Sequence, residues 1–167
     1  MQLVRRYGAT RARIRALLSR MALEGWVVRL PGHGWAFEPA IASVEGYESS
    51  FRFRSVIEPA ALRQPGYHLS LDAIASLRAR QEELLSGGAS RLSPSEIFEI
   101  GATFHEAIVG GSGNPFLLDA MRRVNALRRL IEYRTKRSRD TLIRQCREHL
   151  QLLDLIEKGK LERAARL

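Results

Sequence analysis

Apolar residues recur at helical spacing along most of this chain, and the interruptions mark where one element gives way to the next. Ile14, Leu17, Leu18 and Met21 fall at the three- and four-residue intervals of a helix over residues 11–24. Gly8 gives the backbone freedom of a tight turn before it, and Thr10 is placed to cap its start. After Gly25 the pattern changes to the apolar run Trp26-Val27-Val28, followed by the turn residues Pro31-Gly32-His33-Gly34, which predicts a hairpin. From Glu38-Pro39 to Ser49-Ser50, proline, glycine, serine and acidic residues mix, which predicts a linker over 40–50 holding at most a short helical piece.

The helical period then runs almost to the end. One helix is expected over Phe51–Arg63, and a second begins at a Ser70 cap with Asp72 in its first turn and stops at Gly87-Gly88. Ser93-Pro94-Ser95-Glu96 is a capping box with proline at the first helical position, opening a third helix that reaches about Val109. Gly110-Gly111-Ser112-Gly113 breaks the chain, Asn114-Pro115 restarts it, and Leu117, Met121, Val124 and Ile131 form the buried stripe of a fourth. A fifth spans about Arg139–Glu157 and ends near Gly159, and a last one begins at Lys160 and is expected to be cut off at Leu167. No internal repeat or low-complexity tract occurs.

Charge adds a direction to this picture. The 167 residues carry a net charge of +9, which favours polyanionic partners. The excess is uneven, because residues 1–40 alone contribute +5. Arg11 and Arg15, one turn apart, share a face near the start of their helix, the part of a helix-turn-helix module that meets guanine edges or phosphates in the major groove. Arginine outnumbers lysine 24 to 3, which suits phosphate and carboxylate recognition and is also what a G+C-rich genome produces. The lone Cys146 excludes an internal disulfide framework. Neither a secretory signal pattern nor an apolar run near membrane-spanning length is present, so a cytoplasmic protein is expected.

Two resemblances give these patterns a family context. Tyr7-Gly8-Ala9-Thr10-Arg11, Ile14-Arg15, Leu23-Glu24-Gly25-Trp26-Val27 and Gly32-His33-Gly34 resemble the winged helix-turn-helix of the GntR superfamily of bacterial transcription regulators. The resemblance implies that Thr10, Arg11 and Arg15 contact DNA from the recognition helix, and His33 and Gly34 from the wing tip. It also implies that a first helix and the start of a second precede Gly8, where this sequence has seven residues, so the module is expected to be N-terminally short. Further along, Arg54-x-x-Ile57-Glu58, Phe104-His105, Ser112-Gly113-Asn114-Pro115 and Glu148-His149 resemble the FCD effector domain of the FadR branch. Together they imply a mostly α protein: a partial winged helix-turn-helix over 1–39, the linker, and an antiparallel α-helical bundle over 51–167 that binds a small effector and forms a homodimer.

Many FCD domains hold a divalent metal through an aspartate four residues before a histidine, and three histidines in all. Residues at i and i+4 share a helix face, and imidazole with carboxylate suits zinc or nickel. Here the resemblance carries over His105 and His149. The aspartate position is Gly101, and the third histidine is expected a few residues past Leu167, beyond a bundle that is expected to be incomplete at its end. Both histidines lie on inward stripes, His105 with Phe98, Gly101 and Ile108, and His149 with Leu142, Cys146, Leu153 and Ile156. Hydrogen-bonded core histidines, and a buried structural thiol at Cys146, are the plainer readings. The expectation is therefore an effector pocket that survives without tight metal binding.

FCD relatives commonly sense small carboxylates or sugar acids. Arg122, Arg123, Arg128, Arg129, Arg134, Lys136, Arg137, Arg139, Arg144 and Arg147 make the fourth and fifth helices strongly basic, and most are expected on a solvated face. Arg128, close to the Val124 and Ile131 stripe, is the candidate for an inward anion contact, with His105 and His149 beside it. The function expected is a ligand-responsive regulator, acting as a repressor on a palindromic operator. Two rival readings are a metal-dependent hydrolase, for which the ligands are too few and no nucleophile motif is found, and a degenerate ligand-binding or dimerising module that no longer binds DNA.

Overall fold

The computed structural model describes residues 2–32, 34–37, 44–132 and 138–167, and the chain divides into two compact units, Met1–Tyr47 and Glu48–Leu167. The fold is mostly helical, with one small sheet. Several residues named from the sequence, among them His33, Glu38, Pro39, Arg134, Lys136 and Arg137, lie outside the described residues.

In the first unit, α1 (Gln2–Tyr7) precedes α2 (Arg11–Leu23). Gly8, at φ +60°, makes the turn between them in a conformation that side chains disfavour. Thr10 is extended and accepts a hydrogen bond from Arg13 N at 3.3 Å, the N-cap its sequence position predicts. At the other end Gly25 takes φ +77°, Gly25 N donates to Ala22 O and Trp26 N to Met21 O, which closes a Schellman motif and turns the chain into β1. Strand β1 (Val27–Leu30) pairs antiparallel with β2 (Gly34–Phe37), with Val28 opposite Ala36 and Arg29 opposite Trp35. One position of the predicted α2 stripe fails: Ile14, Leu18 and Met21 are half-buried, but Leu17 is 55% exposed.

The second unit is a helical bundle. Helix α3 (Val44–Leu62) begins seven residues before the expected Phe51, so the sequence read as linker is helical from Val44 onward. Glu45 in the first turn suits the helix N-terminus, an electrostatic gain that composition alone hides among serines and glycine. Helix α4 (Leu71–Leu85) starts at the Ser70 cap, and α5 (Pro94–Gly110) at a complete capping box in which Ser93 and Glu96 bond each other's backbone amides. The Ser112-Gly113-Asn114 motif makes the next turn. Buried Ser112 Oγ donates to Val109 O, and Asn114 Oδ1 accepts from Phe116 N and Leu117 N at the start of α6 (Pro115–Glu132). Helix α7 (Arg139–Glu157) is capped by Ser138, and α8 (Leu161–Ala164) stops short of the expected Leu167, with Ala165 as its cap.

Helix α5 packs along α6, and α4 along α7. Leu62, Ile74, Leu77, Phe104, Ile108, Leu153 and Ile156 fill the main core with Ala164 and Ala165, and Ala61, Val109 and Met121 form a second cluster. Tyr67 clamps the α5–α6 turn: its hydroxyl donates to Ile108 O at 3.0 Å, and its ring lies where a side chain on Gly111 would go.

Candidate functional site

Each unit presents one candidate site. In the first, Thr10, Arg11 and Arg15 are all exposed at the front of α2, and Gly34 is exposed at the start of β2. Arg15 and Ser19 face Arg29, Leu30, Gly32 and Trp35 across a groove of about 580 Å³ between the helix and the hairpin. Arg15 and Arg29 both line this groove, and two guanidinium side chains in one groove suit a phosphate backbone. His33, the expected wing-tip contact, falls outside the described residues.

In the second unit a cavity of about 490 Å³ opens among α3, α5, α6, α7 and the α8 end. Its polar wall is built by helix periodicity. Arg54, Glu58 and Leu62 recur at four-residue steps on α3, so the turn of α3 that plants Leu62 in the core also turns a cation and an anion inward. Pro59 in the same helix leaves the Ser55 carbonyl without its usual amide donor, and both residues line the cavity.

Arg54 Nε donates to Glu58 Oε1 at 2.7 Å, and Glu58 Oε2 lies 3.1 Å from His105 Nδ1. A carboxylate only accepts, so His105 carries its proton on Nδ1. Arg54 Nη2 lies 2.7 Å from that nitrogen and closer still to Nε2, the ring's acceptor. Burial works against the Glu58 charge, but His105 and Arg54 outweigh it and hold the carboxyl at about 2. Burial pushes the His105 imidazole below its usual value, partly opposed by Glu58, and the Arg54 and Arg128 cations add to the depression. Glu58 is thus ionised and His105 neutral near pH 7, with Arg54 the cation that holds Glu58 charged.

His149 stacks on Phe104 at 3.9 Å between ring centres and meets the edge of His105 at 4.9 Å. Its Nδ1 donates to Gln81 Oε1 at 3.0 Å. Arg128 is only 3% exposed; it lines the cavity, bonds Glu132 Oε1 at 2.9 Å and lies 4.1 Å over the Phe51 ring. Burying this pair removes two charges from water, a cost offset by their mutual bond and the aromatic face. Asn125 Nδ2 donates to Glu106 Oε1 and completes the α6 side of the wall.

The expected ligand pair, His105 and His149, is brought together, yet the donor set does not fit a divalent metal. Among the described residues no three histidine, cysteine or carboxylate side chains are grouped as a metal site. Gly101 offers no donor, and the ring nitrogens of His105 face Arg54 and Glu58. Cys146 is buried on the same α7 stripe, and burial pushes its thiol up, away from the thiolate a metal needs.

Sequence reading did not assign a site role to Arg54, Glu58, Gln81, Asn125 or Phe51. A usable signal existed for two of them. Gln81 is a polar residue on the Ile74, Leu77 and Leu84 stripe and is 1% exposed, and Asn125 sits one turn from Met121 and from Arg128. Phe51 carried no signal, since its place depends on the fold that brings α6 beside it.

The FCD domain family model matches residues 49–167. Similar solved structures include the Lar protein, described as controlling the Listeria monocytogenes agr system and mediating virulence, at 16% identity and a TM-score of 0.78. A GntR transcriptional regulator from Rhodococcus sp. RHA1 aligns at 14% identity and TM-score 0.73, and E. coli McbR/YncC at 16% and 0.71. Each alignment covers 99% of this chain and 77% of the other. A comparison with curated protein sequences gave no match. The alignments with these solved structures extend across both units and show a shared fold, and the family match takes in every residue that lines the cavity; the chain belongs to the FCD-domain family.

Proposed function

We propose that this protein is a ligand-responsive, DNA-binding repressor of the bacterial cytoplasm that acts as a homodimer on a palindromic operator and senses a small carboxylate or sugar acid. The observation that carries the reading is the presence, in one chain, of an exposed arginine pair beside a hairpin and a cavity with cationic side chains in its wall. Thr10, Arg11 and Arg15, with His33 and Gly34 of the wing, serve as the DNA contacts. Arg128, His105 and His149 serve as effector contacts, joined by Arg54.

An acid suits this cavity for a physical reason. Guanidinium groups in a partly water-excluded wall attract a carboxylate more strongly than they do in open water, and their fork geometry matches its two oxygens. Binding changes DNA affinity only if the effector has unequal affinity for two arrangements of the paired DNA readers. The test uses succinate, citrate and gluconate as probes. Thermal unfolding of the full chain rises with at least one of them, and Arg128→Met abolishes the rise. No rise with any carboxylate or sugar acid, or an unchanged rise in Arg128→Met, overturns the effector assignment.

A further inference from the structure

We propose that the Arg54 guanidinium fills the cation position of the cavity, so that His105 is closed to metal ions and a carboxylate ligand pairs with a protein-borne charge instead. The proposal rests on the effector reading for its ligand class alone; the exclusion of metal stands on the geometry around His105.

A neutral imidazole has one lone pair to give, and a metal needs it. Glu58 Oε2 fixes the proton on Nδ1 and leaves Nε2 as that lone pair. Arg54 Nη2 lies against the edge of the ring that carries both nitrogens, 2.7 Å from Nδ1 and closer to Nε2, so a donor carrying a full positive charge already covers the lone pair. A dication brought to Nε2 meets this charge at contact range. Arg54 is held in place: its side chain is 16% exposed, and Nε is bonded to Glu58 at 2.7 Å. Gly101, one turn before His105 on the same face, completes the exchange. A Cβ placed there meets nothing within 4 Å, so the glycine leaves open space on the cavity wall where a carboxylate ligand would otherwise project.

The same arrangement leaves the guanidinium able to act outward. Arg54 commits Nε to Glu58 and Nη2 to His105, and among the described residues no acceptor takes Nη1. Its two N–H groups are the ones a ligand carboxylate can meet, with His105 and Glu58 holding the other side of the fork in place. In this reading Glu58 holds Arg54 in position and His105 does so besides its contact with the effector, and the metal that would orient an acid ligand is not required.

Zinc titration of the metal-stripped full chain by calorimetry tests the exchange without reference to DNA or effector. Wild type and Gly101→Asp are expected to bind zinc weakly. Arg54→Leu combined with Gly101→Asp, which sets a new carboxylate beside His105 and His149 and removes the competing cation, is expected to gain about 100-fold over Gly101→Asp alone. Equal zinc affinity in the single and double variants, or tight zinc binding by wild type, overturns the proposal. Should the double variant fail to fold, long-range 1H–15N spectra of the wild-type histidines decide the matter. The His105 ring is expected as the Nδ1-protonated tautomer with shifts unmoved by added zinc; a zinc-dependent shift at Nε2 overturns it. Because neither arm uses a carboxylate probe, a failed effector titration and a failed zinc result point to different errors.

Discussion

Buried ionisable residues in this cavity make stability sensitive to acid, and the sign follows from two shifts that act together. The folded-state value of His105 is depressed, so the folded protein resists the proton that the unfolded chain accepts below about 6.5. Glu58 is held at about 2, so its stabilising contribution is full above the ordinary carboxylate range and is lost as pH falls toward that value. Thermal midpoints should therefore fall as pH is lowered from 7 to 5, first through His105, and fall further between about 4.5 and 2 through Glu58. His105→Gln should flatten the upper part of that profile. A wild-type midpoint that rises between pH 7 and 5 contradicts the assigned protonation states.

Helix boundaries carry the clearest local logic, and glycines allow it to be checked. Gly101 lies inside α5 with open space around a prospective Cβ, so Gly101→Ala should leave stability unchanged or raise it by up to about 1 kcal/mol. Gly111 caps the same helix, but a Cβ there comes within 2.8 Å of the Tyr67 ring. Gly111→Ala should cost about 1–3 kcal/mol, because Tyr67 is itself fixed by its bond to Ile108 O. Chemical denaturation of the two variants reads both effects, and equal stabilities would contradict the packing described.

These elements also show what a one-dimensional pattern can carry. Ser70, Ser93 and Asn114 announced their helices because a cap is a local arrangement between one side chain and the next three amides. Inward stripes placed His105, His149 and Arg128 on the cavity side, since periodicity alone fixes a face. The start of α3 escaped notice, because serine and glycine favour loops unless tertiary packing overrides them. Leu17 on α2 and the pairing of Arg54 with His105, 51 residues away, escaped for a related reason: both depend on which surface meets which, and spacing does not encode that.

At the scale of the whole molecule, the proposed function gives the first unit to DNA and the second to a ligand, and the first assignment can be challenged most directly. Arg11 and Arg15 are exposed at the front of α2, and the Arg15 groove is shared with Arg29 of the hairpin. A guanidinium on a phosphate or a guanine edge releases counterions, so binding must weaken with salt, and losing one such contact reduces the salt slope by about 1. Among the described residues no helix is long and apolar enough to cross a membrane.

Fluorescence anisotropy of the DNA upstream of the chain's own gene, titrated with wild type and with Arg11→Ala/Arg15→Ala over a range of salt concentrations, measures this claim. The account predicts wild-type binding that is tighter than to scrambled DNA of the same length and weakens with salt, with the double variant losing both the preference and part of the salt slope. Equal affinity for both DNAs, or a double variant that binds like wild type, would contradict it.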